Sequence, residues 1–387
     1  MKIINILAEK ELWFVILLLS GFFKQFVNVF NLVSFDVTLV VSCLLLIVVF
    51  YEHLFFYNGK FTNSSSLIGI LSLCLFTFFT IFSITYTPSE QYALKKFLSF
   101  LICIFIYLLP QLFIRFDVDI FIRRFVNISI ILSIIFVLVF YFIPSNSPLG
   151  VMKENYLVVG YLCGLNILIL FAFERKISTP LVFFIIVLML TGARGPLIFT
   201  VATSALIWIN MFGFLKLFAP KTLLFIFILM SIVLGLAYFF DFIYNMLLGS
   251  FNRLSLLFSS DIGDSANIRI HHILESWQHI KDKPLFGYGF GSYGLVTTGT
   301  DIRSYPHNIF LELWFEVGIF GLLSFLFFCV YHFRLSYLKL GFPAACILLY
   351  IILNSLKSSS FAEVKFLFSF MSIFILLGGT KNSIRFN

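Results

Sequence analysis

The stretch Ser304-Tyr305-Pro306-His307-Asn308-Ile309-Phe310-Leu311-Glu312-Leu313-Trp314-Phe315-Glu316-Val317-Gly318-Ile319-Phe320-Gly321 marks the passage from polar to apolar chain on which the fold reading turns. Before it runs the one long hydrophilic interval, starting near Asp241, and after it a long apolar run. His271, His272, His279 and His307, four of the six histidines, fall within Asp241–Gly321. Outward from this stretch, apolar runs dominate. The chain of 387 residues is 61% hydrophobic and 11% charged, with a mean hydropathy of +1.06. Soluble domains carry about 25% charged residues. A water-soluble fold has nowhere to hide 55 Phe and the accompanying Leu and Ile, so the solvent is lipid. Backbone polar groups in lipid must be satisfied internally, by helices or a closed barrel. The runs do not alternate, which selects helices.

The net charge of +8 does not indicate nucleic acid. Lys and Arg sit singly or in pairs at the ends of apolar runs, a membrane-topology pattern. Cys43, Cys74, Cys103, Cys163, Cys329 and Cys346 all lie inside apolar runs, without a CxxC or Cys/His cluster. They read as buried free thiols, with neither a disulfide framework nor zinc. The first apolar run reads as a first span rather than a cleavable leader.

About twelve spans are expected, starting near Leu12, Phe35, Ser66, Phe97, Phe125, Tyr156, Pro180, Pro196, Thr222, Asn308, Gly341 and Phe361. The run from Pro180 is short for a span of ~20 residues. It is expected to tilt, break, or form a hairpin with the next around Thr191-Gly192-Ala193-Arg194-Gly195-Pro196. No repeat or linker divides the chain. The expectation is one all-α polytopic membrane domain: helices over 1–240, an extracytoplasmic loop over 241–306, and helices over 307–387. Lys and Arg of the short loops fall mostly on the side of both termini, with Lys95 and Lys96 counted outside. This puts the termini in the cytoplasm and the loop outside it.

Within the loop, Asn267–Asp282 has helical spacing, and Asp264 or Ser265 can cap it. Ile270, Ile273, Leu274 and Trp277 form an apolar stripe, opposite Arg269, His272, Ser276 and His279. An interfacial helix with its stripe against the spans is expected. Pro284 ends it, and Gly287, Gly289 and Gly291 make a tight turn rather than a nucleotide fingerprint. Ser304 can cap the next helix, with Pro306 in its first turn. His307, Leu311, Trp314, Gly318 and Gly321 would then share one face, with Gly318 and Gly321 admitting a neighbouring helix. Glu312 and Glu316 pair at i,i+4 on another face, as functional carboxylates or as bonds to neighbouring spans.

Arg194 and Arg269 are candidates for holding phosphate oxygens, since guanidinium binds them bidentately and stays charged. His307 is the candidate general base near neutral pH. His272 and Asn308 are the further candidate substrate contacts. Together these suggest a hydroxyl displacing a diphosphate, with Arg on the leaving group. No metal constellation is evident, so neither metal nor other cofactor is expected.

His307-Asn308, followed by Gly318 and Gly321, resembles the hallmark motif of the O-antigen ligase/polymerase superfamily. Thr191-Gly192-Ala193-Arg194-Gly195 is similar to the family's short arginine turn, with Ala193 where Ser is more usual. Arg269, Trp277 and Asp282-Lys283-Pro284-Leu285-Phe286-Gly287-Tyr288-Gly289 resemble its next element. The resemblance spans Thr191–Leu323 and implies a GT-C-like membrane glycosyltransferase using polyprenyl-diphosphate-linked glycan donors. It implies that Arg194 and Arg269 contact the diphosphate and that His307 activates the acceptor hydroxyl. It further implies an inner (plasma) membrane location, a site facing the periplasm or exterior, a flippase and a chain-length regulator as partners, and no nucleic acid. Polymerase, with a lipid-linked glycan acceptor, is preferred by analogy to ligase, with a lipid A–core acceptor. A transporter would instead need polar residues lining a mid-bilayer path, and a non-catalytic scaffold would tolerate changes at His307.

Overall fold

The computed structural model describes residues 9–23, 36–56, 64–114, 116–144, 147, 153, 155–174, 178–214 and 264–377, with scattered helical positions between 220 and 248. Among them the ordered elements are helical. They are α1 (Lys10–Leu18), α2 (Val37–Phe56), α3 (Ser64–Ile84), α4 (Gln91–Leu112), α5 (Val118–Phe142), α6 (Tyr156–Glu174), α7 (Thr179–Thr191), α8 (Arg194–Phe212), α9 (Asp264–Asp282), α10 (Tyr293–Thr298), α11 (Ile309–Leu340), α12 (Phe342–Ser358), a 3-10 turn (Phe361–Glu363) and α13 (Lys365–Leu377). Seven of the described helices (α2–α6, α8 and α11) are long and apolar enough to cross a membrane. Their outward positions carry residues such as Ile47 and Phe50, 64% and 67% exposed, which only an apolar solvent favours. Cys43 and Cys74 face outward too, while Cys103, Cys163, Cys329 and Cys346 are buried; the expectation that all six are buried is corrected, because lipid accepts a thiol on a helix exterior as readily as the core does.

The polypeptide departs from the expected span starts in ways that matter. The span placed at Phe97 begins at Gln91, and the one placed at Phe125 begins at Val118. Asp301 sets the first start, accepting hydrogen bonds from Ser89 Oγ (2.6 Å) and the Gln91 amide (2.8 Å). Asp117 caps the second through the Ile120 amide. Lys95 and Lys96 are therefore helical residues of α4, not loop charges, and Lys96 is 3% exposed. The short run from Pro180 is α7, which stops at Gly192 in the left-handed region (φ 61°). Two residues later α8 begins at Arg194. The span expected from Thr222 lies outside the described residues save for scattered positions.

α11 packs along α3, α12 and α13, and α8 packs on α6 and α12. Its N-terminal end is not built as expected. Asn308, not Ser304, is the cap: its Oδ1 accepts from the amides of Phe310 (3.0 Å) and Leu311 (3.2 Å). Pro306 and His307 precede the helix, and His307 alone among the described non-glycine residues has a positive φ, 54°. His307 therefore does not share a helix face with Leu311 and Trp314.

Nor does Gly318 serve a helix crossing. Its backbone (φ 82°, ψ −176°) breaks α11, in a region open almost only to glycine. The break frees two carbonyls, and a loop takes them. The amides of Tyr288 and Gly289 donate to Phe315 O (2.8 Å) and Glu316 O (2.9 Å), and the Ile319 amide donates to Pro284 O (3.1 Å). A side chain at Gly318 would strike the Leu285–Phe286 backbone. Gly287, Gly289 and Gly291, with φ of 70°, 98° and 76°, let the chain make this turn. The expected turn is present, and its purpose is to complete a helix ladder that water could not complete in a bilayer. Gly321 is helical, and a side chain there would meet Val317.

Candidate functional site

Three segments converge beside the N-terminal end of α11. They are the start of α8 with Arg194, one face of α9 with Arg269 and His272, and the 303–308 loop with His307. The face of α9 that meets the protein is its polar one. Ser276 is fully buried, and Ile280 packs with Tyr293 of α10 and Phe315 of α11. Ile270, Ile273, Leu274 and Trp277 are 47%, 40%, 59% and 43% exposed. The expected placement of this stripe against the spans is corrected. Arg269 and His272 must face inward to reach the site, so the apolar stripe turns out towards the membrane interface.

His307 meets Tyr305 edge to face, with ring centroids 4.7 Å apart, and its ring lies 6.0 Å from that of His272. His272 Nδ1 is 3.2 Å from Tyr293 Oη and 3.6 Å from Glu275. His307 Nδ1 is buried without a hydrogen-bond partner. A buried polar atom left unsatisfied costs about 1–3 kcal/mol, and the left-handed backbone costs a similar amount. Burial pushes the imidazole below its ordinary pKa, and the positive charges of Arg269, His272 and Arg303 push in the same direction. His307 is therefore a neutral imidazole at pH 7 with a free lone pair or N–H.

A cavity of about 520 Å³ opens here. Its lining mixes apolar and polar groups. Leu18, Phe22, Leu157, Val158, Phe366 and Leu367 are apolar, Arg269, Arg303, Lys357 and Lys365 bring cations, Glu363 a carboxylate, and Asn155, Asn354 and Ser355 neutral polar groups. Arg269 lines the cavity directly; Arg194 stands two residues before Pro196, and His307 against Tyr305, both of which line it. Burial holds the Arg269 guanidinium below its usual pKa, and Arg194 adds repulsion. Arg303 is paired with Glu363 at 2.6 Å.

Asn308 spends its side-chain oxygen on the helix cap, leaving only its amide nitrogen for a ligand. His271, His272 and Glu275 could each offer a metal ligand atom, all within 4.8 Å of one another. All three sit on one turn of one helix, with His271 on the exposed side. That set passes unnoticed in a search for separated ligand motifs.

Sequence reasoning missed Lys96. Its ammonium lies 2.6 Å from both Glu312 and Glu316, with all three side chains at most 1% exposed. Glu312 also accepts from Ser360 Oγ (2.7 Å) and the Phe361 amide (2.9 Å), and Glu316 from the Gly291 amide (2.8 Å). Glu316 Oε1 has no partner. The rings of Phe361 and Phe290 lie 4.6 and 5.2 Å from the ammonium. Of the two readings open for the glutamates, bonding to a neighbouring span is what the geometry shows. The available signal was the i,i+4 spacing of two acids in an apolar helix, which calls for a cation on another helix.

The comparison with curated proteins finds no match. Residues 179–326, which hold α7, α8, α9, the glycine turn, His307 and the break at Gly318, match the family model described as O-Antigen ligase. The match covers this part of the chain and supports a relation to the O-antigen ligase/polymerase superfamily and, at a coarse level, a membrane enzyme of glycosyl transfer.

Proposed function

We propose that the chain polymerises a surface polysaccharide, moving a growing glycan from its polyprenyl diphosphate onto the next lipid-linked repeat unit. The observation that carries this reading is that Arg269 lines a half-apolar cavity with Arg194 and His307, whose ring Nδ1 has no partner, close beside it. The apolar lining residues suit an isoprenoid chain and the cations a diphosphate. The acceptor hydroxyl gives its proton to His307. Its oxygen then bonds to the anomeric carbon as the bond from that carbon to the diphosphate breaks. The leaving polyprenyl diphosphate keeps the electron pair, and Arg194 and Arg269 hold its negative charge. His272 orients the face of α9 beside His307. The site faces away from the cytoplasm, and a flippase supplies the donor, with a chain-length regulator as a further partner.

A ligase reading, with lipid A–core as acceptor, is favoured by the description of the family model. One experiment tests the mechanism and separates the two acceptors. In a null strain, His307→Ala and Arg269→Ala are expected to reach the membrane in normal amount and to leave the long glycan unrestored. Full restoration by either variant removes the mechanism. A null strain showing one repeat unit on core has lost a polymerase; bare core with lipid-linked polymer accumulating means a ligase was lost.

A further inference from the structure

Lys357 closes α12, and its stem lies across the first turn of α8. A Cβ added at Gly195 would meet Lys357 Nζ, Cδ and Cε. The side chain lines the cavity beside Arg269, within electrostatic reach of both Arg269 and Arg194. Among the described residues it makes no ion pair, because the carboxylate on this wall, Glu363, is held by Arg303 at 2.6 Å. The first turn of α8 adds to the imbalance. It begins with Arg194, contains no acid, and receives no side-chain cap from Ala193. A helix N-terminus attracts anions and disfavours cations. Arg269 and Lys357 thus face one half-buried cavity beside a helix N-terminus, and the carboxylate that lines it, Glu363, is already held by Arg303. Such an arrangement attracts a multiply charged anion.

We propose that Lys357 is the third cation of a diphosphate cradle formed with Arg194 and Arg269. The inference rests on reading this cavity as the donor site and assigns a residue to it from outside the matched region, 179–326. The chemistry gives the third cation a distinct task. A glycan-linked diphosphate gains one negative charge when the bond to the sugar breaks. The two guanidiniums bind oxygens in fixed planar forks, whereas an ammonium on a flexible stem can follow the charge as it develops. The small size of Gly195 is what lets that stem lie against α8.

The test uses the full chain in nanodiscs of neutral lipid, with inorganic diphosphate, polyprenyl diphosphate and phosphatidylglycerol as separate probes. Wild type is expected to bind both diphosphates and to prefer them to the phosphatidylglycerol monoanion. Lys357→Gln weakens diphosphate binding by about tenfold or more, as for loss of a charge-assisted hydrogen bond, and Lys357→Arg retains most of it. Gly195→Ala keeps the charge but displaces the ammonium, giving an intermediate loss. Without ligand, Lys357→Gln melts at or above the wild-type temperature, since a repulsive charge has gone; a purely structural lysine would lower it. Diphosphate binding unchanged in Lys357→Gln, or phosphatidylglycerol competing equally, overturns the inference. If binding depends on Lys357 while His307→Ala still restores the glycan ladder, the cradle stands and the transfer mechanism falls.

Discussion

Two charged groups lie near the same end of α11, and they are built in opposite ways. In the buried group, one ammonium meets two carboxylates, Lys96 with Glu312 and Glu316, and backbone amides of Gly291 and Phe361 supply further donors. In the cavity group, Arg194, Arg269 and Lys357 repel one another, and His307 holds an unpartnered ring nitrogen. The first answers its own charge and ties α4, α11, the glycine turn and the 360–361 segment together. In the second, on our proposal, Arg269 and Lys357 are answered by a bound diphosphate. On that proposal the contrast separates charge that holds the fold from charge that binds a ligand, although a lysine serves in both.

The comparison is most severely tested at Lys96. Lys96→Met leaves two carboxylates buried without a cation, a change costing about 3–5 kcal/mol. Little of the variant should accumulate in the membrane. Adding Glu312→Gln and Glu316→Gln should restore much of that amount, because a neutral buried cluster is far less costly than an unbalanced one. Normal accumulation of Lys96→Met alone would show that the cluster does not hold the fold. The cavity variants are expected to behave in the opposite manner, with full accumulation and lost function.

A smaller effect is expected at the break in α11. Gly318→Ala forces a side chain into a backbone region that costs about 1–3 kcal/mol and against the Leu285–Phe286 backbone. The melting temperature in detergent should fall by several degrees, with the loss concentrated in protection of the Tyr288 and Gly289 amides from exchange. Unchanged protection there would mean that the loop does not depend on the break.

The smallest effect concerns pH. The ordinary histidine pKa is about 6.5, and that of His307 in the folded chain lies below it. The neutral base therefore persists through neutral pH, and activity should decline only as pH falls below 6.5. Above that value both folded and unfolded chains carry neutral His307, so it adds no pH dependence to stability. Below it the unfolded chain takes up the proton first, and stability declines. Arg303→Gln removes one of the charges that lower the pKa and frees Glu363, both of which raise it. The acid limb of the rate profile should move to higher pH; a limb that stays in place would remove Arg303 from the electrostatics of His307.

The parts of the molecule legible in the sequence are those governed by local chemistry. Periodicity and composition sufficed for α9, for the glycine turn at Gly287, Gly289 and Gly291, and for the stop between α7 and α8. Arg194 and His307 stand at the edges of apolar runs and Arg269 on the polar face of α9, which is what made them the candidates the sequence offered. The orientation of α9 was not legible. A helix on a bilayer can turn its apolar stripe towards protein or towards lipid, and periodicity is the same in both cases.

What the sequence by itself determined is that this chain lives in lipid as helices and carries one long polar interval. Its 61% hydrophobic composition leaves no other solvent, and a backbone in lipid has few ways to satisfy itself. The tertiary structure alone decided which charges meet. Lys96 finds Glu312 and Glu316 across 216 and 220 residues of chain, and Lys357 reaches the first turn of α8 from the end of α12. Such pairings depend on how helices cross, which no local pattern encodes. The break at Gly318 likewise becomes intelligible only when the loop that fills it is in place.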